Sequence, residues 1–202
     1  NGVSVNAAGA MVFNGSGYLK IAANTLPADL MGQDMDYTID ILYTATSKSR
    51  QCLFGRGDSP RMDFLLDSNG SLQIGGGPNL GTGWPFDTEV LLTFECWKED
   101  TVWRYTCYRD GAAVTSGTWG SSNWRGSGRW MGWEGNTGGR ELTGQIKALR
   151  LSNTALHKGT AFSPDYPWSI PKVVGEWGTI NKSELISKDS NRLLPAPDTV
   201  PS

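Results

Sequence analysis

Three aspartates, Asp34, Asp36 and Asp40, stand at even spacings, and on one continuous strand they would share a face. Sugar hydrolysis requires carboxylates flanking a glycosidic bond, one as acid and one as nucleophile or base. The run holds no glutamate, however, and its last spacing is four residues. It reads as a loop bearing Asp34 and Asp36 that opens a strand with Asp40 on a solvated face. A histidine relay has only His157 to use. That residue lies in a polar loop with no nucleophile elbow, which predicts a surface histidine. Gly75-Gly76-Gly77 lacks the Lys-Ser/Thr ending of a phosphate loop. Cys52, Cys96 and Cys107 are odd in number and dispersed, so they form neither a disulfide framework nor a metal-ligand spacing. With a turn over residues 98–101, Cys96 faces Trp103 and Cys107 lies too far along the same face to bond to it. Buried free thiols are expected.

Binding chemistry has more residues behind it. Aromatic faces stack on the C–H surfaces of sugar rings, and planar polar groups grip the hydroxyls. Trp84, Trp119, Trp124 and Trp133 lie in or beside Gly-rich stretches, with Arg125, Asn136 and Arg140 as hydrogen-bonding neighbours. These seven form the expected ligand-binding set, with Trp119 and Trp124 in the most irregular stretch. Trp103 and Trp130 are assigned to the core or a sheet face. A separate motif, Arg56-Gly57-Asp58, is the adhesion tripeptide read by integrins. Its loop setting permits that use, and chance occurrence of three common loop residues is the competing explanation.

These residues need a scaffold, and the pattern supplies strands. The 202 residues include 26 glycines and nine tryptophans, with 38% hydrophobic residues, enough for one sizeable core. No long stretch has helical apolar spacing, whereas alternating runs recur. Residues 11–21 read as two short strands around a Gly-bearing turn, and residues 37–44 as a half-buried strand. Residues 51–55 form another strand. Residues 62–67 and 71–74 form a hairpin, since Asn69-Gly70 suits the positive φ values of a type I′ turn. Residues 90–97 and 102–109 make the next hairpin, and Asp110-Gly111 turns into residues 112–119. Residues 130–133 and 142–152 read as a closing hairpin with a long Gly-rich loop. Residues 163–202 are punctuated by proline and read as an extended arm beyond a 1–162 sandwich. The formal net charge of -2 gives no basic footprint for nucleic acid, and no stretch is apolar enough for membrane insertion. Asn at residue 1 points to a processed product or an excised fragment of a longer protein.

The order of several short motifs resembles the LamG-like jelly roll of the concanavalin A-like lectin/glucanase superfamily. The matching residues are Phe13-Asn14-Gly15-Ser16-Gly17-Tyr18-Leu19, Tyr37-Thr38-Ile39, Leu53-Phe54-Gly55 and Leu65 through Leu72. Tyr108-Arg109-Asp110-Gly111 follows, and Gly144-Gln145-Ile146 through Ala155-Leu156 closes the set. The resemblance spans residues 11–162 and implies an all-β fold, a two-sheet antiparallel jelly-roll sandwich. It also implies a concave face for carbohydrate. The superfamily's glucanases carry Glu-x-Asp-x-Glu on one strand, which the aspartate run here does not match. Calcium is common in such domains, but no ligand motif transfers residue by residue, so no cofactor is assigned. The expectation is a non-enzymatic carbohydrate-binding or adhesion module of an extracellular or virion-surface assembly, with a glycan or cell-surface partner. One alternative is a structural module whose residues 163–202 dock on neighbouring subunits; another is a glycoside hydrolase.

Overall fold

The computed structural model describes residues 2–22, 35–55, 63–120, 128–133, 140–164 and 191–194. Among them are thirteen strands and no helix: β1 Val3–Val5, β2 Met11–Asn14, β3 Leu19–Ala22, β4 Tyr37–Ala45, β5 Gln51–Gly55, β6 Phe64–Leu66, β7 Leu72–Ile74, β8 Val90–Glu99, β9 Val102–Arg109, β10 Ala112–Trp119, β11 Gly128–Met131, β12 Thr143–Ser152 and β13 Asn191–Leu194. An eight-stranded sheet runs β1-β2-β12-β4-β8-β9-β10, with β13 also paired to β12. A five-stranded sheet runs β3-β11-β5-β6-β7. Every pairing is antiparallel. The expected all-β, two-sheet antiparallel sandwich is therefore the fold.

Period-two alternation fills the space between the sheets. β4 contributes Tyr37, Ile39, Ile41 and Tyr43, and β8 contributes Val90, Leu92, Phe94 and Cys96, all buried in one cluster. Phe94 sits at its aromatic centre. Its ring meets Phe64 of the smaller sheet edge-on at 5.6 Å, Tyr105 at 5.9 Å and Trp119 at 6.0 Å between centroids. Each such pair adds about 0.5–1.5 kcal/mol beyond the area it buries.

β12 keeps its apolar side chains inward by a change of phase. Ile146 pairs with Tyr43 and Ala148 with Leu42, so Lys147 is an extra residue opposite no partner. This β-bulge lets Ile146, Leu149 and Leu151 all face the core despite their uneven spacing. Ala148 instead joins Leu42 and Leu91 in a small cluster on the other face.

Several expectations are corrected. Residues 37–44 are not half-buried: every residue of β4 is buried, because the sheet's outer face is covered as well. The two strands of residues 11–21 do not pair, since β2 belongs to the larger sheet and β3 to the smaller. Likewise β11 and β12 form no hairpin and lie in different sheets, although Leu142 N–H donates to Gly132 O at 2.8 Å where the chain crosses. The Asn69-Gly70 turn has positive φ only at Gly70, so it is not type I′. Type I′ geometry occurs at Asp110 (φ 50) and Gly111 (φ 80), which close the β9–β10 hairpin. The β8–β9 register sets Cys96 opposite Tyr105, not Trp103, because Glu99 pairs with Val102 across a two-residue turn. All three thiols are free and buried, as expected.

Deleting Lys147 removes the phase change and would turn Leu149 and Leu151 outward and Arg150 inward. Urea denaturation is expected to show no cooperative transition for the deletion. Lys147→Ala loses only a half-exposed ion pair with Glu89, at 3.2 Å, and should shift stability by less than about 1 kcal/mol.

Candidate functional site

The carboxylates come first, since hydrolysis would need them. Asp40 is not solvated. It is fully buried on the outer face of β4, where Arg150 Nε donates to Oδ2 at 2.6 Å and the Thr93 hydroxyl donates to Oδ1. Burial pushes its carboxyl above the usual value near 3.8, and Arg150 and Thr93 pull back only part of that rise. Asp36 lies just before β4 and accepts the Lys98 N–H at 2.9 Å; Asp34 lies outside the described residues.

Glu95 is the second buried carboxylate. It accepts from His157 N–H at 2.7 Å, Lys158 N–H at 2.8 Å and the Tyr108 hydroxyl at 3.1 Å. Three donors satisfy it in place, and two are backbone groups of the segment after β12. That segment turns at Lys158 (φ 45) and Gly159 (φ 85), closed by Thr160 N–H to His157 O at 3.0 Å. Gly159 N–H donates to the Tyr108 hydroxyl at 2.8 Å, whose own proton is held more tightly through burial and the Glu95 charge. His157 is half-buried, not a surface histidine, with its ring stacked on Phe162 at 3.6 Å. Residues 154–162 thus form a strap over the sheet.

Because Asp40 pairs with Thr93 and Thr38 with Glu95, the two carboxylates are diagonal neighbours on one face, about 7–8 Å apart at the backbone. That approaches the spacing of a hydrolytic pair. Both side chains are closed to solvent, and neither faces a groove that a sugar could enter. Among the described residues no group of three or more His, Cys, Asp or Glu side chains could hold a metal ion.

The expected aromatic set disperses. Trp84 is corrected outright: it is 1% exposed and packs in the core. Residues 75–86 fold back on β7 instead of projecting, through Leu80 N–H to Leu72 O at 2.7 Å and Trp84 N–H to Gly70 O at 3.0 Å. Trp119 ends β10, not a loop, and packs against the core on Phe94. Arg140 is half-buried, and its carbonyl accepts the Cys52 N–H at 2.8 Å. Trp124, Arg125, Asn136 and the Arg56-Gly57-Asp58 tripeptide lie outside the described residues.

Trp133 is different. Its ring stacks on Tyr18 with centroids 4.4 Å apart and planes 22° from parallel. Tyr18 is 44% exposed, the most exposed large hydrophobic side chain among the described residues. It borders a groove of about 600 Å³ lined by Gly2, Val3, Ser4, Val5, Met11 and residues 16–19, within the usual range for ligand sites. β1 ends the larger sheet and β3 ends the smaller one, so the groove opens where the two edges part.

Local chemistry fixes its wall. Asn14 Oδ1 accepts both Ser16 N–H at 3.1 Å and the Ser16 hydroxyl at 2.7 Å, a side-chain turn that delivers Tyr18 to the rim. Gly2 must lack a side chain, since a Cβ there would stand 2.6 Å from Gly17 N. Sequence reasoning passed over Tyr18. The available signal was an aromatic leaving Gly15-Ser16-Gly17, the same setting that had favoured the tryptophans.

No protein-family model matches the chain, and no curated protein does. Among solved structures 47 chains match. A provisionally assigned carbohydrate-binding protein of Bacteroides ovatus ATCC 8483 superposes with a TM-score of 0.57 at 16% identity, over 72% of this chain and 44% of that one. Domain 4 of AbnA, an extracellular GH43 arabinanase from Geobacillus stearothermophilus solved with arabinotriose, gives 0.51 at 18% identity, over 74% and 72%. The NanB sialidase of Streptococcus pneumoniae gives 0.50 at 21% identity, over 68% and 25%. The chain therefore spans less than half of the Bacteroides protein and a quarter of the sialidase. These likenesses show the fold: a β-sandwich of the kind found in carbohydrate-binding proteins and in parts of glycan hydrolases.

Three outcomes are expected for the buried carboxylates. Asp40→Ala should cost about 3–5 kcal/mol in chemical denaturation, because it breaks a buried ion pair with Arg150, whose side chain is only 12% exposed. Asp40→Asn removes the titration. Since the folded protein holds the Asp40 proton more tightly than the unfolded chain, wild type should lose stability relative to Asp40→Asn as pH rises above about 4. Glu95→Ala leaves the His157 and Lys158 amides unmatched, and limited proteolysis should then cut within residues 153–164 well before the rest of the domain.

Proposed function

We propose that this chain is a non-catalytic carbohydrate-binding module of the LamG-like kind, serving a larger surface or virion assembly, and that it holds glycan in the groove between β1 and β3. The observation that carries this reading is the Tyr18–Trp133 stack at the rim of that groove. A sugar ring needs a fixed aromatic face, and a ring already stacked from behind is ordered before ligand arrives, which lowers the entropic cost of binding. The sandwich of residues 1–162 is the binding unit, with residues 163–202 as an appended arm. Trp124, Arg125 and Asn136 are proposed as further contacts on sequence grounds alone. The absence of catalysis is supported by the state of Asp40 and Glu95, which are buried, hydrogen-bonded and occupied in holding the sheet and its strap.

The competing reading, in which residues 163–202 dock on neighbouring subunits, has less behind it. β13 pairs instead with β12 of its own chain, through Leu149–Leu194 to Ser152–Asn191.

A glycan array on the purified chain tests the proposal. Tyr18→Ala is expected to weaken binding about two- to twelvefold, the cost of losing a 0.5–1.5 kcal/mol stacking contact, in a variant that still unfolds cooperatively with only the small stability loss of its Trp133 contact. Undiminished binding by the folded variant would move the site elsewhere.

A further inference from the structure

We infer that the groove selects neutral sugar residues over carboxylated ones, an inference that depends on the glycan-binding reading of the same site. Ser16 is the informative residue. Its hydroxyl proton is committed to Asn14 Oδ1, an acceptor that cannot reciprocate, at 2.7 Å. What Ser16 presents to the groove is therefore oxygen lone pairs, open to a donor. A sugar hydroxyl supplies that donor. A carboxylate has none, and two sets of lone pairs would face each other.

The rest of the lining agrees. Val3, Val5, Met11 and Leu19 give an apolar floor and Tyr18 an aromatic wall. The C–H face of a neutral pyranose or furanose matches that floor and wall. A carboxylate brought into it gives up hydration, and its usual compensation is a guanidinium or ammonium group. The described lining contains none.

The test compares matched pairs on an array and by titration calorimetry: each neutral glycan against the same glycan capped with a terminal sialic acid on the groove-binding sugar, lactose and 3′-sialyllactose among them, with arabinotriose as a neutral pentose probe. Tighter binding of the neutral member, by tenfold or more, is expected, together with its weakening in Tyr18→Ala. Ser16→Lys, which places a cation at the rim, should narrow or reverse the ratio. Equal or tighter Tyr18-dependent binding of the sialylated member would overturn the selectivity while leaving glycan binding intact. Binding of no glycan at all would overturn the reading on which the selectivity depends.

Discussion

β4 has no face turned to water, and the fold is built around that constraint. Its inner side chains are apolar and simply join the core. Its outer row of Thr38, Asp40, Leu42 and Thr44 is mostly polar and still buried. Buried polar groups are tolerated only when matched, since an unmatched one costs about 1–3 kcal/mol and a charge more. The neighbouring strands and the strap provide the matches: Thr93 and Arg150 for Asp40, and Thr154 O for the Thr38 hydroxyl at 2.7 Å. Glu95 then draws the strap down by its backbone amides. A buried carboxylate here secures a segment of chain.

This explains both the success and the failure of reading the carboxylates from sequence. The pattern did place Asp40 on a strand, but a sequence pattern cannot report what lies over that strand's outer face. The cover comes from residues 154–162, more than a hundred positions away, and only the folded chain reveals that Glu95 meets the amides of His157 and Lys158. Asp40 was therefore assigned to solvent when it belongs to the interior.

The strands were legible because alternation is local, and so was the Asp110-Gly111 turn. Sheet membership was not. A short Gly-bearing link suits a hairpin or a crossing between layers equally well, and β2 and β3, like β11 and β12, lie in different sheets. The bulge at Lys147 was visible only as an uneven apolar spacing, Ile146 then Leu149. Among the tryptophans, glycine-rich surroundings are the sequence's sign of exposure. Trp84 shows the weakness of that rule, since glycines also let a chain approach closely enough to seat a large ring in a core. Tyr18 obeys the same composition and lies outside, because the Asn14 turn carries it to the parting of two sheet edges.

The three sealed thiols carry a consequence for how the molecule fails. Burial lifts Cys96 to about 12 and Cys107 well above the ordinary thiol range, so neither forms the nucleophilic thiolate while the sandwich holds. Once opened, Cys96 and Cys107 return to ordinary acidity, and the odd set of three can cross-link in the wrong pairs or between molecules. In oxidising surroundings the module then behaves as a one-way ratchet: durable while closed, and unable to retrace its path after a single full opening.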